Sequence, residues 1–184
     1  NIRNALAVIA SARHCGISPA QIQDGLATFK GIRRRMEVRA TIGDVTIIDD
    51  FGHHPTAIRE TLKALRVAYP ERRIWAAFEP RSNTTRRNVF QKELAEALAG
   101  ADAVLISQVA RLHLLDADQR LNPDQLVKDI QAQDRYCQYL DSAEQICEHL
   151  SREVNAGDVV CVFSNGAFGD LHENLKTSLE ARFA

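Results

Sequence analysis

The sequence predicts an α/β fold, a mostly parallel sheet with helices on both faces, preceded by a short helical hairpin. Two observations predict it. From Met36 to the end of the chain, short apolar strand-like runs such as RIWAAFEP, ADAVLISQ and DVVCVFS alternate with amphipathic segments of helical period. Before Met36 the pattern is helical only, and no strand is available there to pair.

Each element follows from its residues. NIRNALAVIASARHCG repeats Leu6, Ile9, Ala10 and Arg13 at helical spacing, with Gly16 as the stop. SPAQIQDGLATFKG begins with a Ser18 N-cap and Pro19 in the first turn, and Gly31 is expected to close it. After the basic run Arg33–Arg35, MEVRATIGDVTIID reads as a β-hairpin around Gly43-Asp44, a two-residue turn of the glycine-first type. PTAIRETLKALRVAYP places Ile58, Leu62, Leu65 and Tyr69 on one helical face. The strand RIWAAFEP follows, then a helix through Phe90, Leu94 and Leu98 within RRNVFQKELAEALAG. ADAVLISQ is the next strand, and NPDQLVKDIQAQ a helix capped by Asn122. CQYL, SAEQICEHLSREV, DVVCVFS and GDLHENLKTSLEARF continue the alternation.

Charge and cysteine content exclude several classes. With 23 basic against 24 acidic residues, nothing favours nucleic acid or an anionic membrane as partner. No apolar run is long enough for a transmembrane helix. Cys15, Cys137, Cys147 and Cys161 lack CxxC spacing and sit in apolar-periodic segments, so they are expected to be reduced core thiols of a cytoplasmic protein. There is no phosphate loop of the GxxxxGK[ST] type, no GxGxxG and no nucleophile elbow.

Ligands of parallel sheets gather where strands run out at their carboxyl ends. Three such places carry chemistry. DDFGHHP (49–55) offers carboxylates and imidazoles, which suit a nucleotide, but the same residues serve as a capped turn before a helix. Its adjacent histidines have neither HxH nor HxxxH spacing, which speaks against a metal. EPRSNTTRR (79–87) combines Arg81, Ser82, Asn83 and Thr84 with further arginines, a carboxylate-binding surface or a helix-capping loop. SNGAFGD (164–170) has the glycines of a ligand-cradling loop and equally of a plain turn. In the run Arg33–Arg35, an extended backbone would point Arg34 away from its two neighbours, so only part of the run would serve one site.

Taken in order, FKGIRRRMEVR, IIDDFGHHPTAI, FEPRSNTTRR and SNGAFGD resemble the Mur ligases, ATP-dependent amide-forming enzymes of bacterial cell-wall synthesis, over essentially the whole chain. The resemblance implies a Rossmann-like C-terminal domain over residues 31–184 that brings in the amino acid or peptide, and residues 1–30 as the helical tail of a central ATPase domain. NIRNALA resembles the end of the family's HNxxNAxAA motif, and the chain is accordingly expected to be a C-terminal fragment, inactive by itself. By position, Asn1 and Asn4 would contact adenine, Arg35 the ATP phosphates, and Asp50 the ribose with His53 nearby. Arg81, Ser82, Asn83 and Thr84 would face the peptide, as would Ser164, Asn165 and Phe168. The implied cofactors are ATP and Mg²⁺, held in the full-length enzyme. The implied partners are UDP-N-acetylmuramate, muropeptide substrates and the N-terminal and central domains, with no nucleic acid or membrane. EPRSNT with SNGAFG resembles the branch that takes the recycled tripeptide L-Ala-γ-D-Glu-meso-diaminopimelate, whereas DDFGHHP is shared with the branch that adds L-alanine. A stand-alone nucleotide- or peptide-binding module is the alternative from another class.

Overall fold

The computed structural model describes residues 2–109 and 112–184, and the chain divides into two compact units, one ending at Arg33 and the other spanning Arg34–Ala184. The first unit is a pair of helices, α1 (Ile2–His14) and α2 (Pro19–Thr28). Ser18 caps α2 with a reciprocal box: its Oγ accepts from the Gln21 amide, and Gln21 Oε1 accepts from the Ser18 amide at 3.1 Å. The helix ends at Thr28, before Gly31, which lies beyond it at φ +87°. Gly31 therefore turns the following loop and does not close the helix.

The second unit is a six-stranded sheet in the order β1-β2-β6-β3-β4-β5. Its strands are β1 (Glu37–Ile42), β2 (Val45–Asp50), β3 (Ile74–Phe78), β4 (Ala103–Ser107), β5 (Tyr136–Leu140) and β6 (Val159–Phe163). Only the β1–β2 pair is antiparallel. Gly43 and Asp44 both have positive φ, 54° and 62°. The hairpin turn is thus the type with two left-handed residues rather than the glycine-first type, and Asp44 tolerates that backbone as aspartate commonly does.

Strand side chains alternate between two cores. Ile74, Ala76 and Phe78 of β3, with Val159, Cys161 and Phe163 of β6, pack beneath α3 (Pro55–Ala68), α4 (Gln91–Leu98) and α5 (Pro123–Gln131). Trp75 and Ala77, with Val160 and Val162, pack beneath α6 (Ala143–Glu153) and α7 (Leu171–Phe183). Each fully buried Leu, Ile or Phe contributes about 1.5–3 kcal/mol, so the two-sided burial explains why these strands read as continuous apolar runs. Three of the four cysteines join these cores, while Cys15 is exposed, contrary to the expectation of a core thiol there.

Chain order makes the site. From β2 the chain passes through α3 to β3, leaving a place that β6 fills later, and then steps outward to β4 and β5. It returns through α6 to β6. The helices change face at this reversal, the position where open sheets of this kind take their ligands, outside the carboxyl ends of the strands.

Candidate functional site

Strands β2, β6 and β3 finish level, because Asp50 and Phe78 are both in register with Phe163. The three motif loops consequently leave the sheet side by side, and polar side chains stitch them together. The Glu79 amide donates to Phe163 O at 3.0 Å, and the Ser164 amide to Asp50 O at 3.2 Å. Ser164 Oγ donates to Glu79 Oε2 and accepts from the Gly166 amide at 2.8 Å. Arg81 Nη1 lies 3.7 Å from Glu79 Oε1, and its side chain crosses directly over Gly166.

Arg34 ties a fourth segment, the turn before β1, into this network. Its Nη2 donates to the carbonyls of Ser164 and Gly166, each at 2.7 Å, while Nε donates to buried Asp49 at 3.2 Å. Its own carbonyl accepts from the Phe51 amide at 2.7 Å. The segment is not extended, since Arg34 and Met36 have φ of 57° and 51°. Such backbone is costly for residues other than glycine and persists only where surrounding contacts over-determine it. The kink brings Arg34 and Arg35 to the same ring: their guanidinium carbons lie 5.3 and 5.5 Å from the Phe51 centroid. Adjacent arginines therefore do reach one site, against the expectation drawn from an extended run.

Several residues singled out from sequence have structural work instead. Asp50 is buried, with Oδ1 accepting from the Gly52 amide at 2.7 Å and Oδ2 from the Met36 amide at 2.9 Å. Burial pushes its carboxyl up, opposed by those two amides. Each oxygen keeps a second lone pair, but the residue is only 3% exposed, and the contacts it makes here are those of a turn cap. His54 caps α3, its Nδ1 accepting from the Thr56 amide at 3.3 Å. Ser82 is buried and bonded within its own loop, to the Thr85 hydroxyl at 2.8 Å and amide at 3.1 Å. Neither Asn83 nor Thr84 caps a helix: a 3-10 turn, Asn88–Phe90, intervenes before α4. Phe168 is 3% exposed and packs in the α6/α7 core, which removes it from any ligand surface.

What remains at the rim is a smaller set. Arg35, Arg81, Asn83 and Thr84 are exposed, and His53 is half-buried with its Nδ1 3.2 Å from Phe51 O. Asn165 Oδ1 is shut off from solvent without a hydrogen-bond partner. Asn4 is exposed on α1 in the first unit, and Asn1 lies outside the described residues. Among the described residues no three carboxylate, thiol or imidazole side chains converge as a metal-binding group. Arg34, Glu79 and Gly166 join the edge with no role that the sequence assigns them. A lone acid directly after the apolar run IWAAF was the available signal for Glu79.

The fold and this edge define a Rossmann-like domain whose motif loops meet where β2, β6 and β3 end. The chain belongs to the Mur ligase family: the family described as Mur ligase, glutamate ligase domain, matches residues 34–166. Similar curated proteins include the UDP-N-acetylmuramate–L-alanyl-γ-D-glutamyl-meso-2,6-diaminoheptandioate ligase of Escherichia coli (strain K12), 36% identical over 97% of this chain and 37% of that protein. The UDP-N-acetylmuramate–L-alanine ligase of Lachnospira eligens is 33% identical over 95% of this chain and 38% of its own length. Among solved structures, a murein peptide ligase, Mpl, from Psychrobacter arcticus 273-4 superposes with a TM-score of 0.75 at 34% identity, covering 97% of this chain and 36% of that one. The chain thus spans little more than a third of the relatives it matches.

Proposed function

We propose that this chain is the acceptor-binding part of a longer ATP-dependent ligase that joins UDP-N-acetylmuramate to the tripeptide L-Ala-γ-D-Glu-meso-diaminopimelate. The observation that carries this reading is the gathering of the EPRSNT and SNGAFG loops into one hydrogen-bonded edge, with Glu79 bonded to Ser164 and Arg81 laid over Gly166. In that reaction ATP supplies the phosphoryl group that activates the muramyl carboxylate, and the peptide amine displaces phosphate to form the amide.

This chain's own residues bind and orient the peptide. Arg81 and Asn83, both exposed, offer donors to its carboxylates. Holding the amine in place is a large part of the work in a two-substrate reaction. Arg35, exposed beside Phe51, fits a role against ATP phosphates, whereas Asp50 is buried and caps the turns on either side of it. No Mg²⁺ ligand is assigned to this chain. The first unit, α1–α2 with the segment up to Arg33, is proposed as the tail of a preceding ATPase domain, supported by its exposed apolar side chains Leu6, Leu26, Phe29 and Ile32.

The L-alanine ligase is the second reading, favoured by relatives of that kind at nearly equal identity. Competition in the full-length enzyme separates the two. Amide formation with the tripeptide that a large excess of L-alanine does not suppress supports the first reading, and preferential consumption of L-alanine overturns it.

A further inference from the structure

Arg86 has no part in the reading above, and its surroundings are unusual for an arginine. It sits in the loop after β3, where its amide donates to Ser82 O at 3.1 Å and its carbonyl accepts from the Leu121 amide at 2.9 Å. Nη2 donates to Asn83 Oδ1. Nε and Nη1 are sealed from solvent and have no hydrogen-bond partner among the described residues. The carboxylate of the same loop, Glu79, is already engaged by Ser164 and Arg81.

A cation with two buried, unpaired donors is a poor resting arrangement, because it has given up water without gaining an acceptor. One neutral amide, that of exposed Asn83, holds its remaining nitrogen. We propose that Arg86 is a carboxylate-binding residue of the peptide site, kept folded back by Asn83 and released onto a carboxylate of the incoming peptide. This rests on the peptide-ligase reading and deepens it.

Release is cheap because little is lost, and a guanidinium meets a carboxylate with paired, charge-assisted hydrogen bonds. Position argues for the far end of the ligand. Arg81 lies over Gly166, where β3 and β6 end, whereas Arg86 is bonded to the loop after β4 through Leu121, on the other side of β3. A residue displaced along the sheet suits a carboxylate remote from the reacting amine. The tripeptide has such groups, and free L-alanine does not. Arg86 accordingly favours the peptide over the amino acid.

The test uses the full-length enzyme with Arg86→Met, which keeps length and removes every donor, and Arg86→Lys, which keeps charge. Arg86→Met is expected to raise the peptide KM about 10-fold or more, the worth of one charge-assisted pair. The KM values for ATP and UDP-N-acetylmuramate should stay within about twofold, and Tm should hold or rise, since an unpaired buried cation is gone. Arg86→Lys should restore part of the peptide KM. If the wild type turns over the tripeptide and the Arg86→Met peptide KM stays within about twofold, the assignment of Arg86 fails alone. A lowered Tm with equal effects on all three substrates likewise makes Arg86 structural. Wild-type enzyme that forms no amide with the tripeptide sinks the ligase reading and this one with it.

Discussion

Asp50 illustrates how a polar residue in a conspicuous motif can be occupied by the fold itself. Its two oxygens accept from the amides of Gly52 and Met36, and so fix both the exit of β2 and the kink before β1. Asp50→Asn keeps one acceptor and turns the other into a donor facing an N–H. The expected loss is about 1–3 kcal/mol of stability, read by urea unfolding, with the cost of a buried unsatisfied donor as its source. His149 acts at the opposite end of the sheet, where its Nε2 lies 3.0 Å from the Tyr136 hydroxyl and its ring stacks on Tyr136. Burial lowers its pKa from 6.5; Glu153 opposes this, and Arg152 and Arg73 reinforce it. The folded state therefore resists protonation. Stability from this group is complete above about pH 6.5 and falls as pH drops toward the lowered folded value, because the unfolded chain takes the proton first. Tm should fall more for wild type than for His149→Gln between about pH 7.5 and 5.5. Parallel curves would remove His149 from the account.

At the scale of elements, the edge is held by one arginine reaching three neighbours. Arg34→Ala strips the partner from buried Asp49 and two donors from the β6 loop. About 2–4 kcal/mol of stability should go with it, reduced from a fully buried pair because the arginine is partly exposed. A second variant tests loop arrangement without attacking stability. A methyl group on Gly166 would come within 2.6 Å of Arg81 Nη1, so Gly166→Ala must displace that flexible side chain. Tm should change by no more than a degree or two while the peptide KM rises several-fold. An unchanged peptide KM would free Arg81 from peptide binding.

Much of this was legible in sequence and some was not, for identifiable reasons. Strand and helix alternation was readable because two-sided burial leaves continuous apolar runs, as in IWAAF and VVCVF. The caps at Ser18 and Asn122 were readable because capping is local. Arg34 was not, since its reach depends on a left-handed backbone that nothing in RRRM demands. Phe168 looked like a loop residue because its glycine-rich surroundings hid a φ of 49° that turns the ring into the core. Asp50 reads as a ligand contact because its partners are backbone amides, which carry no sequence signature, and Ser82 because its bonds to the Thr85 hydroxyl and amide depend on the fold of the loop.

At the scale of the whole molecule, the chain covers just over a third of its curated relatives, and the proposed reaction draws its phosphoryl donor site from elsewhere. The 184-residue chain with ATP, UDP-N-acetylmuramate and tripeptide is expected to release no phosphate above background in a coupled assay. Turnover by this chain alone would require a complete site within it. The most direct test of the central claim is hydrogen–deuterium exchange on the full-length ligase, with and without tripeptide, in the presence of UDP-N-acetylmuramate and a non-hydrolysable ATP analogue. Protection should appear in residues 79–87 and 164–167, the loops that meet where β2, β6 and β3 end. Protection absent from both loops and confined instead to the opposite edge, around Tyr136 and His149, would contradict it.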